Sequence, residues 1–361
     1  MKKLLACAII IALIMTSFIA VISHAQDGEF FEGMNIVQNS EDDGSRAHDI
    51  EPPQGENPDG DNENPGTGQE PEEPGNEDDG YIPKKKLPTS EGIEALRGEF
   101  DYYQGPYVYG VRANDYALFD PRGKNDTHKY PLIVYVHGAF HGLLREGQLN
   151  DSDFPYWASE ELQSRFDEGG AFIMLPRSTG ALTFWDQGQV PSLKAAIDDV
   201  IANAGDSIDT SKIVIMGSSD GGAMVRKMIC HYPTFFCGAL TLCQTGFYSG
   251  SNAQKTANIP IWLIACKKDF FVLYPIFQVP MWNTIKRNTN VPEKCRFTSL
   301  AELYYPDGSK PTNTHNLARV ASYDLQLIDG SDYPYAETVD GNGKVLDLHA
   351  GNGIIAWINE L

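Results

Sequence analysis

Short apolar runs alternate with longer amphipathic stretches through the second half of the chain. Between 191 and 204, apolar residues recur at helical spacing behind Pro191, which predicts a helix. The runs have the length and composition of strands buried on both faces, and they cover 131–136, 171–175, 213–216, 238–242 and 261–265. This alternation predicts an α/β fold in which helices cover both faces of a mostly parallel central sheet.

Weaker patterns extend this picture at both ends of the predicted sheet. The aromatic-rich segment 101–120 alternates in places and predicts strands of an antiparallel pair. The segment 154–166 reads as a helix, 324–328 as a late strand, and 353–361 as a closing helix. The chain has no internal repeat.

The N-terminal quarter of the chain does not fit this fold. Lys2 and Lys3 precede an apolar run that ends near small residues, so residues 1–25 are expected to be a secretory signal peptide cleaved after Ala25. An uncleaved membrane anchor is the alternative, because the run is long enough to span a bilayer. Residues 26–86 are rich in Asp, Glu, Pro and Gly and predict a disordered acidic linker, which leaves 87–361 as the folded domain.

The charge of the chain limits the partners that it is expected to bind, and its cysteines bear on metal sites and disulfides. The linker carries about 18 acidic side chains and accounts for most of the formal charge of −21, which argues against nucleic-acid binding. We expect it to tether the domain to a cell wall or surface, or to act only as a solubilising tail. Five cysteines follow the signal peptide without metal-binding spacing, so no metal site is predicted and no disulfide is assigned.

One segment predicts a nucleophile. Residues 213–226 read IVIMGSSDGGAMVR and place Ser219 between two glycines where a buried strand turns into a helix. Glycine at 217 and 221 avoids side chains that would collide with backbone in so sharp a turn. Ser219 is then expected at the apex, strained, with its hydroxyl near the helix N-terminus. The alternative is a glycine-rich turn whose serine only caps the helix.

A serine hydroxyl becomes nucleophilic only when a base takes its proton. In an open α/β sheet, the reacting groups gather beyond the carboxyl ends of the strands, and this location selects among the histidines. His349 follows the predicted late strand and precedes the closing helix, so we expect it to be the base. His315 precedes that strand and is the alternative.

The remaining catalytic groups follow from the same location. Asp269 comes just after the strand at 261–265 and is expected to orient the imidazole, with Asp329 and Asp332 as rivals. Two backbone N–H groups must stabilise the oxyanion. We expect them from Asp220, directly after the serine, and from Ala139, in the loop that follows the strand at 131–136.

These segments resemble the α/β-hydrolase superfamily. HGAF at 137–140, GSSDGG at 217–222 and Lys268-Asp269 with Val272 resemble its oxyanion, elbow and acid segments. The order Ser219, Asp269, His349 is that of the family. Residues 192–200 and 211–214 are also similar to secreted esterases of the feruloyl esterase and polyhydroxyalkanoate depolymerase type. The similarity covers 116–361 and departs from the pattern at Asp220 and in the polar segment 331–348.

The resemblance implies an α/β-hydrolase fold and ester hydrolysis through an acyl-enzyme, without a cofactor. We expect a secreted, monomeric serine esterase acting on acyl, feruloyl or acetyl esters of plant cell-wall polysaccharide or a related polymer. Phe140, Trp185 and Phe247 are candidate substrate contacts. The alternatives are a serine peptidase of the prolyl-oligopeptidase type and a non-catalytic surface-binding module on a hydrolase scaffold.

Overall fold

The computed structural model describes residues 86–361 except 109, 124–126, 142–146, 151–152, 181–183, 312–313, 316, 326–335 and 348–352. The predicted signal peptide, nearly all of the predicted linker, and His349 therefore lie outside the described residues. In the described part of the chain, no helix combines the length and hydropathy needed to cross a membrane.

A mixed sheet forms the centre of the molecule. The strands of this sheet are β1 (Asp101–Tyr103), β4 (Tyr116–Phe119), β5 (Tyr130–Val136), β6 (Phe172–Pro176), β7 (Ile208–Ser218), β8 (Gly238–Leu242), β9 (Ile261–Cys266), β10 (Arg296–Leu300), β11 (Ala336–Asp340) and β12 (Val345–Leu346). A separate hairpin pairs β2 (Tyr107–Val108) with β3 (Val111–Arg112). Among the described residues the sheet has ten strands in the order β1-β4-β6-β5-β7-β8-β9-β10-β11-β12.

The central strands of the sheet, from β6 to β10, pair in parallel. The outer strands β1, β4, β11 and β12 pair antiparallel. The carboxyl ends of the parallel strands therefore meet along one edge, where an open α/β sheet gathers its functional groups.

Helices lie on both sides of the sheet. Those described are α1 (Ser90–Arg97), α2 (Glu160–Gln163), α3 (Val190–Ala204), α4 (Asp220–His231), α5 (Gly250–Lys255), α6 (Tyr274–Asn288), α7 (Leu317–Ala321) and α8 (Ile354–Asn359). The predicted helix at 191–204 and the closing helix are confirmed as α3 and α8. A Pro at the start of α3 is compatible with a helix because the first N–H groups have no intrahelical partner.

Two hydrophobic cores sandwich the sheet, and the side-chain alternation of β5 shows how. Leu132, Val134 and Val136 pack into the core shared with α3, α4 and α6. Ile133 and Tyr135 point to the opposite core, shared with α7 and α8. Because every residue of β5 is buried, the strand has no polar face, and this explains its continuous apolar sequence.

Two predicted elements differ in the structure. The helix predicted at 154–166 is a 3₁₀ turn, Phe154–Ala158, followed by α2, because the Ser159 hydroxyl accepts the N–H of Leu162 and starts a new helix there. The strand predicted from Asp324 is wrong at its start, since Asp324 and Leu325 have positive φ angles of 56° and 52°. The remainder of that segment lies outside the described residues.

Candidate active site

Ser219 occupies a sharp turn between β7 and α4 at the centre of the sheet. Its φ of 54° and ψ of −117° are rare for a residue with a side chain. The backbone around it is held on both sides, because its N–H donates to Leu242 O (2.8 Å) and its carbonyl accepts the N–H of Ala223 (3.2 Å). The strained conformation of Ser219 is therefore held in place by the neighbouring strand β8 and by the helix α4.

The glycines on either side of Ser219 permit the turn by allowing close backbone contact. A β-carbon at Gly217 would lie 2.8 Å from the backbone of Gly221 and from Val136 O. A β-carbon at Gly221 would lie 2.2 Å from Val136 O and 2.4 Å from His137 O. The elbow is thus packed directly against the end of β5, so the loop after β5 lies beside the nucleophile.

His315 and Asp269 complete a hydrogen-bonded chain that begins at Ser219. His315 Nε2 lies 3.0 Å from Ser219 Oγ, and His315 Nδ1 lies 2.7 Å from Asp269 Oδ2. Asp269 is itself buried, and its Oδ1 accepts the N–H groups of Phe271 (2.9 Å) and Val272 (3.0 Å). The carboxylate is therefore fixed at the end of β9 with one oxygen directed at the imidazole.

The contacts of His315 decide where its protons lie. A carboxylate only accepts hydrogen bonds, so Nδ1 carries a proton, and Nε2 is left to accept the hydroxyl proton of Ser219. Burial opposes the charged imidazolium, whereas the neighbouring Cys243 and the hydrogen bond and charge of Asp269 favour it. The favourable interactions together outweigh burial, so the pKa of His315 is raised above the ordinary value of 6.5.

The base expected from the sequence, His349, lies outside the described residues. The alternative, His315, makes both contacts that a base requires, and the expectation for His349 stays a prediction. The sequence analysis set His315 aside because it precedes the last predicted strand. In the structure the last parallel strand is β10, which ends at Leu300, so His315 follows it at the catalytic edge.

Of the two residues expected to donate to an oxyanion, Asp220 directly follows Ser219, and Ala139 lies in the loop whose first residues pack against the elbow. Asp220 is the first residue of α4, and such an N–H has no partner within its own helix. Ala139 is partly exposed in the turn after β5. The adjacent Gly138 approaches closely, since a β-carbon there would lie 3.3 Å from Ser218 Oγ. The loop and the helix start therefore border the same space above the serine.

The predicted substrate contacts have different surroundings. Phe140 is 39% exposed in the loop after β5, and its ring lies 5.3 Å from that of Phe184. Phe247 is partly exposed and packs on Phe277, with ring centroids 5.2 Å apart. Trp185 is only 2% exposed, and its indole N–H donates to His137 O (2.9 Å). Substrate contact by Trp185 stays a prediction, and its burial leaves little of its surface open to a ligand.

Apolar side chains that the sequence analysis missed adjoin the catalytic groups. The Phe271 ring lies 5.4 Å from the His315 ring, and Phe270 stacks obliquely on Phe271 at 4.3 Å. Phe270, Leu273 and Ile276 are exposed. We call these five residues, Phe270, Phe271, Leu273, Ile276 and Phe277, the apolar rim. Its signal in the sequence is the run of aromatic and aliphatic residues that begins directly after Asp269.

Within the described residues, a group with metal-compatible spacing coincides with this site. The ligand atoms of Cys243, Asp269 and His315 all lie within 4.8 Å of one another. The imidazole and the carboxylate already bind each other, and the Cys243 thiol donates to His315 O (3.3 Å). The imidazole and the carboxylate therefore form part of the hydrogen-bonded chain that begins at Ser219.

Comparisons with known proteins support the fold. No family model matches the chain, and no curated protein matches its sequence. A solved structure described as a thermostable esterase matches with a TM-score of 0.52 and 22% identity, covering 64% of this chain. The match covers 62% of the esterase, less than two thirds of its length. Together with the strand order, this likeness confirms the predicted α/β-hydrolase fold.

Proposed function

We propose that the protein is a serine hydrolase that cleaves carboxylic esters through an acyl-enzyme. The observation that carries this proposal is the continuous contact from Ser219 Oγ to His315 Nε2 (3.0 Å) and from His315 Nδ1 to Asp269 Oδ2 (2.7 Å). A base within hydrogen-bond reach of a strained serine, itself oriented by a buried carboxylate, is the arrangement that activates a hydroxyl for acyl transfer.

In the first half of the reaction, Ser219 Oγ attacks the ester carbonyl and forms a bond to its carbon. His315 Nε2 takes the hydroxyl proton, and the carbonyl oxygen becomes an oxyanion that the N–H groups of Ala139 and Asp220 stabilise. Collapse of this intermediate breaks the bond to the alcohol oxygen. His315 returns the proton to that oxygen, and the alcohol leaves.

In the second half, water attacks the acyl-enzyme in the same geometry. His315 Nε2 accepts a proton from the water as it bonds to the acyl carbon. The new oxyanion collapses, Ser219 Oγ leaves with the proton from His315, and a carboxylic acid is released. Asp269 stays ionised throughout and stabilises the imidazolium that forms in each half.

The substrate we propose carries an apolar or aromatic acyl group, such as a feruloyl ester of cell-wall polysaccharide or a related polymer. The apolar rim supports this class, because it begins at the ring of Phe271 beside His315 and continues outward as exposed side chains. Phe247 extends it through its contact with Phe277. Burying an aromatic group against such side chains would stabilise the bound ester.

We further propose that the protein is exported and acts outside the cell as a monomer. The basic and apolar N-terminal sequence supports export, and the acidic Pro-rich segment that follows suits a tether to a wall or surface.

The test of the function is reaction with a fluorophosphonate probe combined with hydrolysis of p-nitrophenyl acetate and methyl ferulate. We expect one labelled serine, identified by peptide mapping as Ser219, and loss of both labelling and turnover in Ser219→Ala. Peptide substrates provide the comparison with a peptidase. Wild-type protein that neither takes the label nor hydrolyses an ester would contradict the proposal.

A further inference from the structure

Trp185 makes three polar contacts around the nucleophile although it is almost wholly buried. Its backbone N–H donates to Asp220 Oδ2 (2.6 Å), and its carbonyl accepts from Lys227 Nζ (3.0 Å). Its indole N–H donates to His137 O (2.9 Å), and its ring lies 5.2 Å from that of His137. One residue thus joins the start of α4 to the loop that follows β5.

The two backbone segments that Trp185 joins are those expected to stabilise the oxyanion. Asp220 directly follows Ser219, and His137 lies two residues before Ala139. Burial raises the pKa of Asp220 to about 6, while the Trp185 N–H and the charge of Lys227 oppose the rise. Asp220 is therefore ionised at neutral pH, and its carboxylate is a strong acceptor for the Trp185 N–H.

The loop at His137 is held on its other side as well. The buried imidazole of His137 accepts the N–H of Ser178 at Nε2 (3.1 Å), so its proton lies on Nδ1, which donates to Gly138 O (2.6 Å). The segment that carries Trp185 is fixed in turn by Gln189, whose Nε2 donates to Phe184 O (2.9 Å). Further hydrogen bonds therefore hold both the loop at His137 and the segment that carries Trp185.

We propose that Trp185 and Asp220 are positioning residues that set the distance between the two oxyanion donors. Trp185 acts through His137 on the N–H of Ala139, and the Asp220 carboxylate anchors Trp185 to the helix that presents the other N–H. This inference rests on the proposed function, since it needs an oxyanion at that place. It also gives a reason for Asp220, the residue at which the chain departs from the family pattern.

The variant Trp185→Phe tests the proposal by removing the indole N–H while keeping a ring. Donors displaced from the oxyanion weaken a contact made mainly in the transition state, so we expect kcat to fall about 10-fold with KM changed less than about twofold. A fluorophosphonate should still label the whole population, more slowly than it labels the wild type. Steady-state kinetics and active-site titration measure these quantities.

Trp357→Phe is the matched control. Trp357 is also fully buried, and its indole N–H donates to a backbone carbonyl, Lys294 O (3.0 Å). It packs near Gly238, where β8 begins, at the opposite end of the strands from Ser219. Both variants leave a buried carbonyl without its indole donor, so both should unfold at lower temperature. Only Trp185→Phe should lower kcat.

A pair of substitutions at Asp220 tests the second half of the proposal. Asparagine keeps an oxygen that can accept the Trp185 N–H, whereas alanine removes it, so kcat should fall further in Asp220→Ala than in Asp220→Asn. Equal kcat in Trp185→Phe, Trp357→Phe and the wild type would overturn the positioning role while leaving the esterase intact. A wild type without label or turnover would refute the proposed function, and the positioning role with it.

Discussion

The position of His315 depends on a contact of the preceding residue and on a contact of its own backbone carbonyl. Thr314 Oγ1 donates to Lys268 O (2.8 Å), next to the acid, and the Cys243 thiol donates to the carbonyl of His315 itself. These bonds hold the segment against the ends of β8 and β9. The imidazole is thereby held between a carboxylate and a hydroxyl, so its loss should affect the reaction far more than the fold.

The first prediction is that His315→Ala lowers kcat/KM for p-nitrophenyl acetate by at least about 10³-fold, because proton transfer from Ser219 then lacks its base. His231→Ala is the control, since His231 lies at the exposed end of α4, where it contacts Gln187 and Lys227 O. Initial rates at saturating and limiting substrate measure both. Loss of activity in His349→Ala with activity retained in His315→Ala would show that His349, and not His315, is the base.

The second prediction concerns pH. His315 accepts a proton only when neutral, and its pKa is raised above 6.5, so kcat/KM should rise with pH through a midpoint above 6.5. The stability that the charged imidazolium gains beside Asp269 runs the other way: it is fully present below pH 6.5 and is lost as pH rises through the folded-state pKa, while the hydrogen bond from Nδ1 remains. A kcat/KM profile measures the midpoint. A midpoint below 6.5 would show that burial, not Asp269, dominates.

At the scale of single residues, the sequence places Ser219 and Asp269 in the hydrogen-bonded chain that the structure shows, whereas the histidine in that chain is the alternative, His315. Ser219 and Asp269 follow buried strands closely, so a local pattern is enough to place them at the carboxyl edge. His315 lies 15 residues beyond the end of β10, in a loop whose path depends on tertiary contacts such as those of Thr314 and Cys243. No local periodicity marks such a loop.

Among the elements, the turn from β7 into α4 depends most strongly on residue identity. Gly221 has no room for a side chain because the carbonyls of Val136 and His137 lie where a β-carbon would be. Since those carbonyls belong to the end of β5, a larger residue would have to move the central strand or the helix. This makes Gly221 a structural requirement of the elbow, independent of the chemistry of Ser219.

The third prediction is that Gly221→Ala destabilises the protein by about 3 kcal/mol, because the added methyl group overlaps backbone that cannot move separately. Gly250→Ala is the matched control: Gly250 begins α5, and a β-carbon there meets nothing within 4 Å. It should be neutral or stabilising by about 0.5 kcal/mol. Urea unfolding curves measure both. Equal midpoints for the two variants would contradict the packing argument.

The strand β10, which the sequence pattern does not predict, has a physical reason for escaping it. β10 reads RFTSL and is buried although three of its five side chains are polar. Its Thr298 hydroxyl lies 2.9 Å from Trp262 Nε1 and 2.8 Å from Thr338 Oγ1, so neighbouring strands satisfy it. A hydrophobic pattern cannot reveal a buried strand whose polar groups find partners far away in sequence. The strands β5 to β9 are predictable for the opposite reason, because each contains a run of buried and mostly apolar residues.

For the molecule as a whole, the described fold begins close to the predicted boundary at residue 87. Leu87 and Leu96 pack against the core that also holds Trp157 and Trp357, and Ile93 of α1 is buried. Arg97 Nε donates to Leu149 O (3.2 Å), which ties the end of α1 to the rest of the domain. Residues 26–86 are rich in Asp, Glu, Pro and Gly, so we expect their removal to take few apolar groups from the cores.

The fourth prediction is that a chain starting at Leu87 keeps the kcat of the longer protein and unfolds within about 2 °C of it, whereas a chain starting at Gly98 is less stable. The second truncation exposes surface that Leu87, Ile93 and Leu96 cover, at about 1.5 kcal/mol or more for the buried Ile93 and less for each partly buried leucine. For a domain of this size that lowers Tm by about 5 °C or more. Calorimetry of both truncations measures the difference. A large loss of stability on removing 1–86 alone would show that the acidic segment packs on the domain.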